Sequence, residues 1–472
     1  MSSRQSMHGL WSSRLAFILA ATGAAVGLGN IWKFPYIMGQ NGGGAFVLVY
    51  LLCILLIGIP VMMSEVMIGR RGRQSPGLSV KTLAIEAGAS TRWQIAGWSG
   101  LVASYFILSF YAVIAGWALS YTFKTASGLF TGATAAETGS AFSQFTADPV
   151  VLMSWSAVVL AVTVFVVGKG VHKGLERAVN YLMPTLFVLL IVMAIYAGVN
   201  GAFLQALDFI FTPDFSKLSV NGILLALGHA FFSLSLASGA MMIYGAYLPD
   251  NISIGKTTLW IALADTSVAL LAGMAIYPLV FEYGLQPTEG PGLIFVTLPI
   301  AFGGMPFGSF FGTVFFVMLV FAAFTSTIAM IESTVAWLVE SKGYSRWKAS
   351  IGSGISLWLI GLLTVFSFSG APWASFELDI MGKKISNYFE AVDYLTSAIM
   401  LPLGGLVIAL FAGWVVKQQV SKQELQTTAL SYWLWRFAIR WFTPIAIVVV
   451  FFNLIGVLDP VLAFLGFSGA SK

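Results

Sequence analysis

The sequence predicts an all-α polytopic membrane protein, and three observations support this fold class. Only 9% of the 472 residues are charged and 58% are hydrophobic, whereas a soluble domain has about 25% charged residues. So few charges cannot supply the polar surface that a soluble protein needs. The hydrophobic residues are also grouped in segments of about 20 residues, the length that crosses a bilayer. The composition excludes disordered, collagen-like and disulfide-rich proteins.

Eleven such segments follow one another along the chain. The predicted spans are residues 14–37, 44–68, 97–123, 151–167, 180–199, 220–247, 257–283, 307–339, 349–368, 388–416 and 432–458. With the N-terminus in the cytoplasm, 17 Lys and Arg residues fall on the cytoplasmic side and five on the outer side. Cytoplasmic loops carry the excess of these residues, so we expect the N-terminus inside and, after eleven spans, the C-terminus outside.

Two spans contain interruptions. The first carries the stretch from Gly23 to Asn30, followed by Lys33 and Pro35, and the sixth carries small and hydroxyl residues from Ser233 to Gly239. Such residues are poor formers of an unbroken helix. Each interrupted span opens a block of five, a pattern typical of inverted-repeat transporters with a site at mid-membrane. The alternative is close helix packing through small residues.

Interrupted membrane helices leave backbone groups that a ligand can use. Their carbonyl oxygens, like nearby hydroxyls, suit a small hard cation, and a helix N-terminus suits a carboxylate. The eighth span adds Thr325, Ser326 and Thr327 in succession. These hydroxyls could alternatively bond only to the preceding turn of their own helix.

One motif resembles a known family. The stretch Gly23-Ala-Ala-Val-Gly-Leu-Gly-Asn30-Ile-Trp-Lys-Phe-Pro35, followed by Asn41-Gly-Gly-Gly-Ala-Phe46, resembles the first-helix signature of the neurotransmitter:sodium symporter family, and the similarity extends over the whole chain. The resemblance implies a LeuT-type five-plus-five inverted-repeat fold, with helices 1 and 6 unwound at mid-membrane. It divides the chain into a cytoplasmic segment (1–13), two repeats (14–199 and 200–416), and helix 11 with a short external C-terminus (417–472).

The resemblance implies two sodium ions. The first ion is expected at Ala25, Asn30, Ser233 and Asp265. The second is expected at Gly23, Val26, Ala322, Thr325 and Ser326. Asp265 replaces the asparagine common in the family and supplies a fixed negative charge. Ala269, one turn later, cannot supply one. We therefore expect transport that does not depend on chloride.

The same resemblance implies an amino acid as substrate. Monoamine carriers of the family have aspartate at the position of Gly27, because their substrates lack a carboxylate. The mostly apolar lining favours a neutral side chain. The expected substrate-binding residues are Ala25, Gly27, Gly29, Ile107, Tyr111, Phe232, Ser233, Ser235, Ala237, Ser238, Ser326 and Met330.

The family's two gates map onto charged residues. Lys33 and Asp393 match the outer gate, and His8, Trp11 and Glu340 match the inner one. His8 stands where arginine is usual, which suggests a weaker, pH-dependent inner gate; alternatively, it is an ordinary polar residue of the N-terminal segment.

Four further positions have expected or open roles. Gly174 and Pro184 have the spacing that lets helix 5 unwind in some members, although a helix cap and an ordinary kink are the alternative. Glu65 is expected to bind the broken backbone of helix 6. His229 is expected to be a satisfied core histidine, with proton sensing as the alternative.

The resemblance implies a sodium-coupled symporter that imports a neutral amino acid by alternating access across a bacterial inner membrane. Its implied partners are the substrate, sodium and the lipid bilayer, without nucleic acid, in a monomer or weak dimer. The sequence has no HExxH, GxSxG or metal-spaced Cys/His set, which argues against an enzyme. A channel is disfavoured because channels usually need subunit symmetry and a filter loop, whereas this chain has a pair of broken helices and hydroxyl-lined ion sites. An amino-acid sensor on the same fold remains the alternative.

Overall fold

The computed structural model describes residues 4–285, 292–380, 383–454 and 457. Within this part of the chain, nine helices are long and apolar enough to cross a membrane, and a bent pair makes ten. The nine are Gly44–Gly72 (helix 2), Thr91–Ala126 (helix 3), Pro149–Gly168 (helix 4), Val171–Asn200 (helix 5), Ile254–Glu282 (helix 7), Gly308–Lys342 (helix 8), Arg346–Phe368 (helix 9), Tyr388–Val415 (helix 10) and Ala429–Phe452 (helix 11).

Helix 1 is the bent pair. Its two parts, Arg14–Ala25 (helix 1a) and Gly29–Gln40 (helix 1b), meet at 54°. Val26 ends helix 1a in an extended conformation with φ −69° and ψ 112°. This extended residue turns the chain out of the helix at the place that the glycine-rich stretch predicts.

Helix 6 is broken more widely. It consists of Val220–Ser233 (helix 6a) and Ala240–Ala246 (helix 6b). Between them, Ser235, Ala237 and Gly239 have positive φ of 51°, 59° and 79°. Left-handed residues cannot continue a right-handed helix. Neither part is long enough to span alone, and together they fit the predicted sixth of eleven spans.

The connections between spans contain structure that the sequence analysis did not predict. Two strands between helices 9 and 10, Ser375–Ile380 and Lys383–Asn387, form an antiparallel hairpin that pairs Leu378 with Ile385. The hairpin is an exception to the all-α prediction, outside the spans. Short helices occupy Pro76–Ala87, Ala135–Ala147, Phe203–Phe211, Leu293–Gly304 and Gln418–Leu425.

Most span boundaries lie within a few residues of the prediction, but helix 5 begins nine residues early. A π-helical turn, Val171–Glu176, precedes the α-helix Arg177–Asn200. The charged side chains of this turn interrupt the apolar run, so the hydropathy of the sequence did not indicate that helix 5 begins here. The predicted external C-terminus and the end of the eleventh span, residues 458–472, lie outside the described residues.

Helices 3 and 8 form the centre of the bundle. Their most apolar windows are 83% and 78% buried, compared with 28% for helix 11. Helix 3 packs directly against the break in helix 6 at Gly100. A Cβ at this position would lie only 2.6 Å from the Ala237 carbonyl oxygen, so glycine permits the close approach. The N-terminal segment packs at the other end of helix 6, where the Trp11 indole donates to the Tyr244 carbonyl at 3.0 Å. The two breaks are thus held in the protein interior.

Candidate functional site

A pocket lies where helices 1 and 6 are broken. Helices 1, 3, 6, 8 and 10 contribute its walls, and ten of the twelve predicted substrate-binding residues line it. The lining residues are Ala24, Ala25, Gly27, Gly29, Ile107, Tyr111, Phe232, Ser235, Ser238, Ser326, Met330 and Leu401.

Four residues mark the difference between the predicted and observed pocket. Ala24 and Leu401 are additions, and nothing in the first-helix motif indicated that helix 10 would reach the pocket. Ser233 and Ala237 are not in the wall. The Ala237 methyl group is buried toward helix 10, where a Cβ at Gly404 would lie 3.3 Å from it. Left-handed Ala237 therefore turns its side chain to the neighbouring helix, contrary to the expectation that it lines the pocket.

Gly27 provides the space at the polar part of the pocket. A Cβ at this position would lie 2.6 Å from the Ser326 hydroxyl and 2.8 Å from the Tyr111 hydroxyl. The Leu28 amide donates to the Tyr111 hydroxyl at 3.1 Å. Hydroxyls and the start of helix 1b therefore surround a position that only glycine fits without displacement.

The residues expected at the first ion form one buried cluster. The Asn30 amide nitrogen donates to Asp265 Oδ1 at 2.8 Å and to Ser233 Oγ at 3.1 Å. Ser233 donates to Asp265 Oδ2 at 2.5 Å, and the Tyr50 hydroxyl lies 3.0 Å from Ser233 Oγ. Ala25, the last residue of helix 1a, lies in the adjoining pocket wall. Carboxylate, hydroxyl and amide oxygens are hard ligands that suit a cation such as sodium.

The residues expected at the second ion also meet. Ser326 donates to the carbonyl oxygens of Gly23 and Val26 at 3.5 and 3.3 Å. Thr325 donates to the Ala322 carbonyl at 3.0 Å. A Cβ at Gly23 would lie 3.0 Å from Thr325 Cβ, so glycine permits the close approach of helices 1a and 8. Carbonyl and hydroxyl oxygens from the two helices thus form an oxygen-rich cluster that fits a small cation.

The expected outer ion pair is not formed in this conformation. The Lys33 ammonium lies 4.8 Å from the centroid of the Phe232 ring, a cation–π arrangement. The Asp393 carboxylate instead accepts a hydrogen bond from Ser397 at 2.9 Å. The two predicted gate residues therefore have separate partners.

The expected inner pair is formed. His8 Nε2 lies 3.1 Å from Glu340 Oε1, and both side chains are only 4% exposed. Glu340 also accepts from the Ser75 amide at 2.8 Å, and Arg346 Nη1 lies 3.4 Å from His8 Nδ1. Trp11 packs beside them against Tyr244 and Tyr247. The N-terminal segment thus closes one end of the bundle.

The partners of Glu332 became evident only from the structure. Its carboxylate pairs with Arg346 and accepts from the Tyr247 hydroxyl at 2.6 Å. Arg346 begins the next helix and returns across the loop after helix 8. Sequence spacing alone could not indicate this contact.

Two other buried polar residues lie beside the breaks. Glu65 accepts a hydrogen bond from the Ala237 amide at 2.6 Å, which agrees with its expected structural role at helix 6. His229 packs between the rings of Phe34 and Tyr50, with centroids 5.7 and 5.6 Å away. Among the described residues neither of its ring nitrogens has a hydrogen-bond partner, unlike the satisfied core histidine that we expected.

Helix 5 is wound through both residues expected to loosen it. Gly174 lies in the π-helical turn and Pro184 lies inside the following α-helix. A Cβ at Gly174 would lie 2.0 Å from the Val166 carbonyl oxygen, so this glycine permits close packing against helix 4. Unwinding of helix 5 stays a prediction about another conformation.

The fold and the site together define a class of protein. Broken helices in the two halves of a membrane bundle, with a pocket and oxygen-rich clusters at the breaks, are characteristic of secondary transporters. The sequence model of the Sodium:neurotransmitter symporter family matches residues 8–138 and 138–463, and the chain belongs to this family.

Individual relatives agree with this assignment. The chain is 38% identical over 458 residues to YhdH, an uncharacterized sodium-dependent transporter of Bacillus subtilis (strain 168), covering 95% of this chain and 98% of the relative. It is 32% identical to an uncharacterized sodium-dependent transporter of Haemophilus influenzae, with 96% and 99% covered. The chain is also 41% identical in sequence to MhsT, whose crystal structure was solved in complex with L-phenylalanine. The two structures match with a TM-score of 0.86 over 94% of this chain and 99% of MhsT.

These findings confirm the main predictions. The protein is a sodium-dependent symporter with a LeuT-type fold, a multi-pass membrane protein and not an enzyme.

Proposed function

We propose that this symporter imports a neutral amino acid, and that the substrate carboxylate occupies the space at Gly27. The proposal rests on two hydroxyls that face this glycine. The Ser326 and Tyr111 hydroxyls would lie 2.6 and 2.8 Å from a Cβ atom placed on Gly27. The remaining lining includes Ile107, Phe232 and Met330, apolar side chains that suit an uncharged substrate. MhsT, which has a similar fold, was solved with such an amino acid, L-phenylalanine.

Two sodium ions are proposed as co-substrates. The first would bind at Ala25, Asn30, Ser233 and Asp265, next to the substrate carboxylate, so that ion and substrate stabilise each other. The second would bind between helices 1a and 8. The Asp265 carboxylate, hydrogen-bonded by Ser233 and Asn30, supplies the negative charge that chloride would otherwise bring, and this supports chloride-independent transport.

Alternating access is the proposed mechanism. The closed contacts at His8 and Glu340 and the separated pair Lys33 and Asp393 support an outward-facing arrangement. On closure Lys33 and Asp393 would approach, and Gly174 and Pro184 would release helix 5 to let the inner sodium leave. We infer that the N-terminus is cytoplasmic in a bacterial inner membrane, that the C-terminus is external, and that residues 14–199 and 200–416 form the two repeats.

Uptake by purified protein in liposomes tests this proposal. An inward sodium gradient should drive the accumulation of one or more neutral amino acids, and replacement of chloride by gluconate should leave uptake unchanged. Asn30→Ala and Thr325→Ala should lower the apparent sodium affinity and uptake together. Thr327→Ala is a matched control, because its hydroxyl contacts Thr163 at 2.9 Å rather than either cluster. Substrate binding without sodium would refute the mechanism.

Counterflow separates a carrier from a sensor on the same fold. Liposomes loaded with unlabelled substrate should exchange it for labelled substrate outside when sodium is present. Sodium-dependent binding without exchange would favour the sensor.

A further inference from the structure

A second cavity, which shares no lining residue with the transport pocket, lies between the short helix Gln418–Leu425 and the beginning of helix 11. Its volume is about 470 Å³. Three cations and three exposed aromatic rings face it: Lys422, Arg436, Arg440, Trp433, Phe437 and Trp441. This combination of charge and aromatic surface differs from the ion-pair clusters elsewhere on the protein.

The cations of this cavity lack acidic partners. Glu424 is the one acidic residue between positions 417 and 454, and its carboxylate is held by Arg70 at 2.8 Å and Arg71 at 3.4 Å. Among the described residues, no carboxylate forms an ion pair with Lys422, Arg436 or Arg440. A cluster of uncompensated cations attracts an anion.

The two arginines are nevertheless held in position. Arg436 Nη1 donates to the Tyr432 hydroxyl at 3.1 Å, and Arg440 Nε donates to the Gly413 carbonyl at 2.7 Å. Arg440 also lies 4.8 Å from the centroid of the Trp414 ring. Each guanidinium is thus anchored through one nitrogen. Its other N–H donors have no partner among the described residues and can bind phosphate oxygens, for which the guanidinium geometry is suited.

The aromatic rings indicate where this anion would reside. Trp433, Phe437 and Trp441 are 60%, 52% and 52% exposed. Exposed tryptophans on a membrane helix are typical of the bilayer interface, at the level of the lipid headgroups. Basic pockets between membrane helices are known to bind anionic headgroups. A soluble anion would use the cations but would leave the exposed rings without a role.

We propose that this cavity binds the headgroup of an anionic glycerophospholipid. Arg436, Arg440 and Lys422 contact the phosphate, and Trp433 and Trp441 lie against the glycerol and upper acyl chains. Because the short helix Gln418–Leu425 lies between helices 10 and 11, the bound lipid also stabilises the connection between these two helices.

Thermal unfolding of the full-length protein in detergent, titrated with phosphatidylglycerol, phosphatidylcholine or inorganic phosphate, tests the proposal. Phosphatidylglycerol should raise the midpoint, and the two other probes should have little effect. Removing one cation near a membrane surface costs about fivefold in affinity for anionic lipid, at about 1 kcal/mol per Lys or Arg. Lys422→Gln, Arg436→Gln and Arg440→Gln should each show this loss. Arg92→Gln and Lys348→Gln, exposed cations elsewhere, should not.

Quenching by brominated phosphatidylglycerol locates the lipid independently of folding energy. Trp433→Phe should reduce the quenching of tryptophan fluorescence more than Trp347→Phe, a control tryptophan that is also exposed. Equal stabilisation by both phospholipids, stabilisation by phosphate alone, or full affinity of the Lys422→Gln variant would each overturn the proposal. Lys422 is exposed and its side chain has no hydrogen bond in the described structure, so its replacement leaves folding intact.

Discussion

Gly27→Ala is the most direct perturbation of the transport pocket. The added methyl group would lie 2.6 Å from the Ser326 hydroxyl and 2.8 Å from the Tyr111 hydroxyl, whereas ordinary contacts begin at 3.4 Å. The methyl group would therefore overlap by 0.8 Å with Ser326, a proposed sodium ligand, and by 0.6 Å with Tyr111, a proposed substrate ligand. Both hydroxyls must move, so sodium and substrate binding should weaken together.

The size of the effect follows from the overlap. Forcing an extra methyl group into a packed site costs about 1–3 kcal/mol. At 1.4 kcal/mol per factor of ten, substrate affinity should fall by roughly 5- to 150-fold. The backbone contributes little, because φ at Gly27 is not positive and alanine can adopt its conformation.

Sodium-dependent binding of L-phenylalanine, or of whichever neutral amino acid stabilises the protein most, measures this loss. Gly352→Ala is the control, since a Cβ there meets nothing within 4 Å and alanine suits a helix. Unchanged affinity and unchanged sodium dependence of the Gly27→Ala variant would refute the reasoning about this site.

Three other contacts give further predictions. Glu65→Ala leaves the buried Ala237 amide without its partner and should destabilise the protein by about 1–3 kcal/mol. Glu65→Gln should retain most of the stability. Equal unfolding midpoints of the two variants would contradict this prediction. Glu332→Gln leaves the Arg346 charge, whose side chain is only 16% exposed, unpaired and should cost about 3–5 kcal/mol, whereas Glu332→Leu with Arg346→Met should recover most of it. Hydrogen bonding by Arg71 lowers the pKa of Glu86 below its usual 4.5. Glu86→Gln should therefore lower the unfolding midpoint by a constant amount from pH 8 to 5, and this difference should shrink as the pH falls below 4.5. A difference that grows in acid would contradict the assignment.

The membrane spans were predictable because each depends on a local property. An apolar run long enough to cross the bilayer must form a helix, since the hydrocarbon interior offers its backbone no other partner. The interruptions at Gly23–Asn30 and Ser233–Gly239 were evident for the same reason, as they break that run. The hairpin at Ser375–Ile380 and Lys383–Asn387 lies outside the bilayer, where this rule does not apply.

The sites were predictable only in part. The motif around Gly27 indicated most of the pocket residues, but Leu401 joins the pocket through the packing of helix 10. The direction of the Ala237 side chain depends on a left-handed backbone conformation that no sequence rule specified.

The amino-acid sequence alone was enough to predict the class of protein, the number of spans that fits the structure, and the family. Composition and the long first-helix motif are properties of the chain that need no partner. Helix packing, in contrast, establishes that Glu332 pairs with Arg346, that Lys33 and Asp393 have separate partners, and that uncompensated cations gather at the start of helix 11. Each of these is a distance between residues on different helices, and it is set by how the helices pack.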